Sequence, residues 1–344
     1  MDVKNSILTY LKNNPGSSSK EIFEGTGRQK SLATVKRVLS KLIRENLIVS
    51  TGKGKSTRYT LSPGYKLFEP VDIEKYYEKE IDEREIQENF NFSLIRDILP
   101  GTNLFTDEEI KRLNELQTSF TKNVSELSES AFKKELERLA IDLTWKSSQI
   151  EGNTYSLLET EKLLKEKETA SGKTKEEAVM LLNHKEAIDF IIENPDYLVS
   201  LTTTKIENIH SILTKDLNID RNIRKRRIGI SGTNYKPIDN EFQIKEALAE
   251  MCDLINRKEN IFEKALLALV LISYIQPFMD GNKRTARIVS NAILINYNYC
   301  PISFRTVDSL DYKKAMLVFY EQNNITPFKK IFIDQFEFAV KTYF

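Results

Sequence analysis

Apolar residues recur at helical spacing over most of the second half of the chain, and the elements follow from that pattern. The densest run, Ala265 to Ile275, is apolar on nearly every face, which predicts a helix buried all round. Pro277 must end it, and a second helix is predicted to begin near Asn282. Helical periodicity is also expected from about Phe132 to Lys146, Glu159 to Glu166, Glu176 to Glu193, Thr203 to Leu213, Asp239 to Arg257 and Leu310 to Phe344. Arg226 to Pro237 instead alternates apolar and small residues about a Gly-Thr-Asn turn and reads as a short β-hairpin.

The first 64 residues have a different plan. Helical stretches at Asn5–Lys12, Ser19–Glu24 and Ser31–Glu45 are followed by Leu47–Val49, a turn at Gly52–Lys55 and Thr57–Leu61. Three helices and a basic hairpin are the order of a winged helix-turn-helix. Ser62-Pro63-Gly64 closes this unit. Mixed charge from Asp72 to Glu88 then predicts an exposed helix, with further helices between 104 and 150. The expected fold class is mainly α: a helical core with a small β-hairpin, plus an N-terminal winged helix-turn-helix domain. The expected division is 1–64, a helical linker region at 65–130, and 131–344.

Charge sharpens this division. The formal net charge of +1 conceals twelve Lys and Arg against four Asp and Glu in residues 1–64, or +8, and 39 against 46, or −7, in the remainder. In the third predicted helix Leu32, Val35, Leu39 and Leu42 share one face, and Lys30, Thr34, Arg37 and Lys41 fall opposite. With Lys53, Lys55 and Arg58 of the predicted wing, they suit the grooves and phosphates of double-stranded DNA. A docking role toward protein is the alternative. With 40% apolar residues in 344, the chain can bury sizeable cores. The best apolar run is too short to cross a bilayer, and the N-terminus lacks a signal-peptide plan. Two cysteines and two histidines give neither zinc spacing nor a disulfide framework, so a cytoplasmic location is expected.

The candidate chemistry lies in residues 276–287, Gln-Pro-Phe-Met-Asp-Gly-Asn-Lys-Arg-Thr-Ala-Arg. A helix N-terminus near Asn282 offers unpaired N–H groups at the positive end of its dipole, and Lys283, Arg284 and Arg287 add charge. An anion is the natural guest.

This string closely resembles the signature of the Fic (Fido) family, His-Pro-Phe-x-Asp/Glu-Gly-Asn-Gly/Lys-Arg-x-x-Arg, whose typical members transfer AMP from ATP to protein hydroxyls. The resemblance implies that Asp280 holds Mg²⁺ at the ATP phosphates, that Gly281, Asn282 and Lys283 wrap the phosphate chain, and that Arg284 and Arg287 clamp its outer end. Gln276 stands where the family has its histidine base, and an amide cannot accept a proton near neutrality. Ser147-Ser148-Gln149-Ile150-Glu151-Gly152-Asn153 is similar to the family's inhibitory motif, at the end of a helix spanning about 132–152. That likeness pairs Glu151 with Arg287 and gives Ser147 and Gly152 supporting places. The 226–237 segment is similar to the family's flap, so Ile228, Gly229, Ile230, Ser231 and Gly232 would add a strand to a target carrying a Tyr, Thr or Ser hydroxyl. His184 and His210 fall on amphipathic helices without motif spacing and read as core or surface residues rather than replacement bases. The expected activity is therefore autoinhibited protein adenylyl transfer, weakened or abolished by Gln276, in a chain that could form a homodimer. A silent nucleotide-sensing DNA-binding regulator and a reversed, AMP-removing chemistry are the alternatives.

Overall fold

A computed structural model describes residues 3–28 and 30–344. The N-terminal unit holds α1 (Val3–Asn13), α2 (Ser19–Gly25), α3 (Leu32–Arg44), β1 (Ile48–Thr51) and β2 (Arg58–Leu61). Ser18 and Ser31 accept hydrogen bonds from the first-turn N–H groups of Glu21 and Thr34, which fixes where α2 and α3 start. β1 and β2 pair antiparallel with Ile48 opposite Leu61, and Ile7, Leu11, Ile22, Val35, Leu39, Leu42 and Ile48 form a core of their own.

Two short helices, α4 (Tyr65–Phe68) and α5 (Ile73–Tyr77), lead to the long α6 (Asp107–Glu126) and α7 (Glu129–Ile150). Then come α8 (Leu157–Glu166), α9 (Lys175–Glu193), α10 (Thr203–Leu213), α11 (Glu241–Arg257), α12 (Ile261–Ile275), α13 (Asn282–Asn296), α14 (Ser309–Gln322) and α15 (Thr326–Tyr343). Every residue of α12 from Phe262 to Ile275 is buried, so this helix is the axis on which the others pack. α13 packs along it, and α7, α9 and α10 in turn meet α13. Among the described residues no helix is long and apolar enough to cross a membrane.

Four expectations change. Segment 226–237 is not a hairpin: its arms do not pair with each other, because the far arm is drawn to another strand of chain, with the Lys236 N–H donating to the Glu88 carbonyl at 2.6 Å. Asp72–Glu88 is not one exposed helix, since after α5 it is held by long-range contacts such as the Gln87 N–H to the Glu321 carbonyl at 2.7 Å. The run Leu310–Phe344 divides into α14 and α15 at Asn323, whose left-handed φ of 51° turns the chain. Finally, the 65–130 region is no mere linker, for Leu67, Phe90, Leu94, Leu113 and Phe120 are buried in the same core as α12.

Candidate active site

The turn between α12 and α13 is built by residues that hold it from behind. Gln276 ends α12 in a left-handed conformation at φ 52°, its N–H donating to the Ile272 carbonyl at 3.1 Å, and Pro277 prevents another turn. Asn282 stitches the loop: its amide donates to the Phe278 carbonyl at 2.8 Å and to Gln276 Oε1 at 2.9 Å, and its Oδ1 accepts the Phe278 N–H at 2.9 Å. Buried Arg224 reaches in from the flap side, donating its N–H to the Pro277 carbonyl at 2.9 Å and Nε to the Gln276 carbonyl at 2.6 Å. The His210 ring stacks on Phe278 at 3.7 Å, with Nε2 2.9 Å from the Asp280 carbonyl oxygen. Gly281 takes φ 80°, a left-handed conformation that favours glycine, and a Cβ there would just touch His210 and Thr214 at 3.4 Å.

The two motif arginines are buried rather than spread on the surface. Arg287 donates Nε to Ser147 Oγ at 2.7 Å, and Nη2 to the Ser147 carbonyl at 2.9 Å and to Glu151 Oε1 at 2.7 Å. Lys283 Nζ reaches Glu151 Oε2 at 3.3 Å. Burial alone would push the Glu151 carboxyl up, but Arg287, Lys283 and Arg284 outweigh it and hold it at about 2. Arg284 is less well served. Its Nη2 lies 3.4 Å from Asp280 Oδ2, while its buried Nε and Nη1 meet no acceptor. An unsatisfied guanidinium is costly and is the kind of group an incoming anion relieves.

These elements open on one cleft of about 620 Å³. Its walls include Glu151, Gln276 and the stretch Asp280 to Lys283, faced by the flap residues Ile228 to Gly232. The sequence-derived groups therefore meet in one place, with a correction: neither Arg284 nor Arg287 lines the cleft. Glu151 lines it and is bonded to Arg287, so Glu151 stands between Arg287 and the cleft. Ser147 is buried behind the pair, and Gly152, at φ 101°, ends the helix just after Glu151.

Gln276 is hydrogen-bonded at both ends of its amide. Its Nε2 donates to the Ser273 carbonyl at 2.7 Å and lies 3.4 Å from the Tyr320 hydroxyl, while Oε1 accepts from Asn282 and keeps one lone pair. Neither histidine stands in for a base. His184 is buried with Nε2 2.6 Å from Ser147 Oγ, and desolvation with Arg287 and Arg284 nearby pushes it well below its ordinary value. Desolvation brings His210 down to about 4 despite its contact with the Asp280 carbonyl, and it sits behind the loop, outside the cleft.

For a metal, the donor set is sparse. Among the described residues no three His, Cys, Asp or Glu side chains gather. Asp280 is 67% exposed at the cleft, one Oδ near Arg284 and the other accepting the Gly281 N–H at 2.6 Å. One carboxylate completed by phosphate oxygens and water suits Mg²⁺, which dehydrates reluctantly.

Comparison with known proteins agrees with this geometry. Residues 200–294, which include the whole α12–α13 corner, match the Fic/DOC family model. The chain carries a Fic domain. It is 29% identical over 180 residues to the protein adenylyltransferase Fic of Nematostella vectensis, covering 48% of this chain and 40% of that relative. The chain thus spans less than half the length of the curated relatives it matches. In fold, it is similar to Fic-1 (residues 134–508) of C. elegans, with a TM-score of 0.60 and 21% identity over 69% of this chain and 72% of that one. A Fic-domain signaling protein from Bacteroides thetaiotaomicron gives a TM-score of 0.58 and 20% identity, covering 67% of this chain and 95% of that one.

Several residues that build the Fic corner carry no signal in the sequence. Arg224 is one cation of the run Arg224-Lys225-Arg226-Arg227, and nothing in that run marks it as the buried member. Tyr320 and His184 lie on unremarkable helical faces, and their places depend on how distant helices pack.

Proposed function

We propose that the Fic domain binds ATP with Mg²⁺ in this cleft and transfers its adenylyl group to a protein hydroxyl, restrained by Glu151 and slowed by Gln276. The observation that carries this reading is the Glu151–Arg287 bond at 2.7 Å inside a corner whose other arginine, Arg284, leaves two buried nitrogens without an acceptor. Asp280 would hold the metal, which supplies charge neutralisation at the phosphates. The first-turn N–H groups of α13 and Lys283 would bind the phosphate chain. Removal of the Glu151 carboxylate would release Arg287 and extend the clamp toward the outermost phosphate.

In the transfer, the target hydroxyl oxygen bonds to the α-phosphorus, the bond to the bridging oxygen of the β-phosphate breaks, and pyrophosphate leaves. Gln276 Oε1, with one lone pair still available, would accept the hydroxyl hydrogen bond and orient the nucleophile without taking its proton. That proton passes to water or phosphate. Loss of a general base typically costs about 10² to 10⁴ in rate, while positioning and phosphate electrostatics remain.

The test is incorporation of α-labelled ATP into the full chain and into a lysate. Glu151→Gly should label above the wild type, and Glu151→Gly combined with Gln276→His should label faster still by about 10² or more. Absence of label from the double variant would exclude adenylyl transfer on this scaffold.

Two observations favour a second reading. Both functional groups of the Gln276 amide are already hydrogen-bonded within the fold, and among the described residues Lys30, Arg37, Lys53 and Lys55 have no ion-pair partner, while Arg58 has only the nearby charge of Glu21. A chain that binds nucleotide without turnover and binds duplex DNA through its N-terminal unit fits both facts. Labelling only after Gln276→His, together with DNA affinity that changes with Mg·ATP, would favour it over transfer.

A further inference from the structure

The flap resembles a docking edge, yet apart from Ile230, which packs against the main core, no contact within it keeps its backbone in place. Ile228 to Gly232 have no backbone hydrogen bond with one another, and Gly232 turns the chain at φ 87°. A loop of this composition would be mobile on its own, and strand addition needs an edge whose peptide groups are already aligned. What fixes it lies some 150 residues earlier in the chain.

Arg84 is 4% exposed in its side chain and donates Nη2 to the Gly232 carbonyl at 3.0 Å, the carbonyl at the turn of the flap. Its Nη1 bonds Glu321 Oε1 and Oε2 at 3.1 and 3.3 Å, and its guanidinium lies 5.2 Å from the Tyr77 ring and 5.9 Å from that of Tyr76. Tyr76 also donates its hydroxyl to Glu321. Glu321 directly follows Tyr320, whose hydroxyl contacts Gln276. Outer ties run in parallel: Asn234 Nδ2 donates to Asp82 at 2.8 Å, and Lys236 Nζ to Glu88 at 2.6 Å. Tyr77 and Arg84 then form part of the cleft wall beside the flap.

We propose that Arg84 is a positioning residue for target docking: through the Gly232 carbonyl and the buried Glu321 carboxylate it locks the flap edge at a fixed distance from Gln276. This rests on the reading of 228–232 as the edge that receives a target segment. The whole stretch 76–89 acts as a strap across the flap, taking the place of the second strand that a self-paired hairpin would supply. Lysine cannot substitute, since a single ammonium lacks the planar fork that spans a carboxylate and a carbonyl together.

The test uses the full chain and native-state trypsin, because Lys225, Arg226 and Arg227 at the base of the flap are exposed cleavage sites. Cutting at 225–227 should accelerate at least tenfold in Arg84→Ala and in Arg84→Lys, while cutting at Lys53 and Lys55 stays within twofold of the parent. Arg84→Lys keeps a charge against Glu321 and guards against a variant that merely fails to fold. Unchanged cutting at 225–227 in Arg84→Lys would overturn the proposal, as would equal acceleration at all sites, which marks general destabilisation. If the parent itself binds no Mg·ATP, the nucleotide reading fails, and the proteolysis comparison still decides whether Arg84 holds the flap.

Discussion

Glu151 brings a carboxylate to the end of a helix whose second half, from Leu139 on, is largely buried, and its ionisation is sustained by the cations it neutralises. With a folded-state value of about 2 against an ordinary 4.5, its contribution to stability is fully present above pH 4.5 and is lost as pH falls toward 2. At ~1.4 kcal/mol per pH unit this amounts to about 3 kcal/mol. Urea melts of wild type and Glu151→Gln at pH 7 and pH 3 should therefore show a difference in stability that shrinks at the lower pH. A difference independent of pH would mean that the Arg287 and Lys283 pairing does not set the ionisation. This pairing was legible in the sequence because both partners sit in short, specific motifs. The burial of Arg284 and Arg287 was not, since a helix's exposed and buried faces at a turn depend on what packs over them, here Ser147 and Tyr312. Arg224 and Arg84 were invisible for the same reason: each is defined by carbonyls distant in sequence.

At the scale of elements, local chemistry predicted most boundaries well. Ser18, Ser31, Pro277 and Gly281 each terminate or start a helix by a mechanism written in a few adjacent residues. The same reasoning failed for 226–237 and 72–88, where alternation and mixed charge are real but tertiary hydrogen bonds override them. The N-terminal elements follow the expected order, and their exposed cations define an electrostatic prediction. Lys41 is set apart, being paired to Glu45 at 3.6 Å and to Glu108 of α6 at 3.2 Å. If Lys30, Arg37, Lys53, Lys55 and Arg58 meet phosphates, the logarithm of DNA affinity should fall with the logarithm of salt with a slope of about −4.5. Arg37→Glu with Lys55→Glu should flatten that slope by about 2 in a titration of labelled duplex. A salt-independent affinity, or none at low ionic strength, would assign this unit to protein contact.

For the whole molecule, the division into linker and core does not survive packing. Phe90, Leu94, Leu113 and Phe120 share the core of α12, and Lys329 of α15 pairs with Glu109 of α6 at 2.7 Å. Each buried large apolar side chain contributes ~1.5–3 kcal/mol, so removing several exceeds the usual stability of a domain. Residues 131–344 expressed alone should lack a cooperative thermal transition, whereas residues 65–344 should unfold cooperatively. A cooperative transition in the shorter piece would show that 65–130 is dispensable to the fold. Such long-range closure is what one sequence hides most completely: periodicity marks an apolar face but not its partner.

Calorimetric titration with Mg·ATP decides whether the α12–α13 corner is a nucleotide phosphate site partly closed by Glu151. Wild type should bind, Glu151→Gly should bind about tenfold more tightly through the freed Arg287, and Arg284→Ala should lose at least tenfold, in keeping with one charge-assisted hydrogen-bonding group worth ~1.5–3 kcal/mol. No heat of binding in wild type or Glu151→Gly, or full affinity in Arg284→Ala, would contradict the assignment of this corner to ATP.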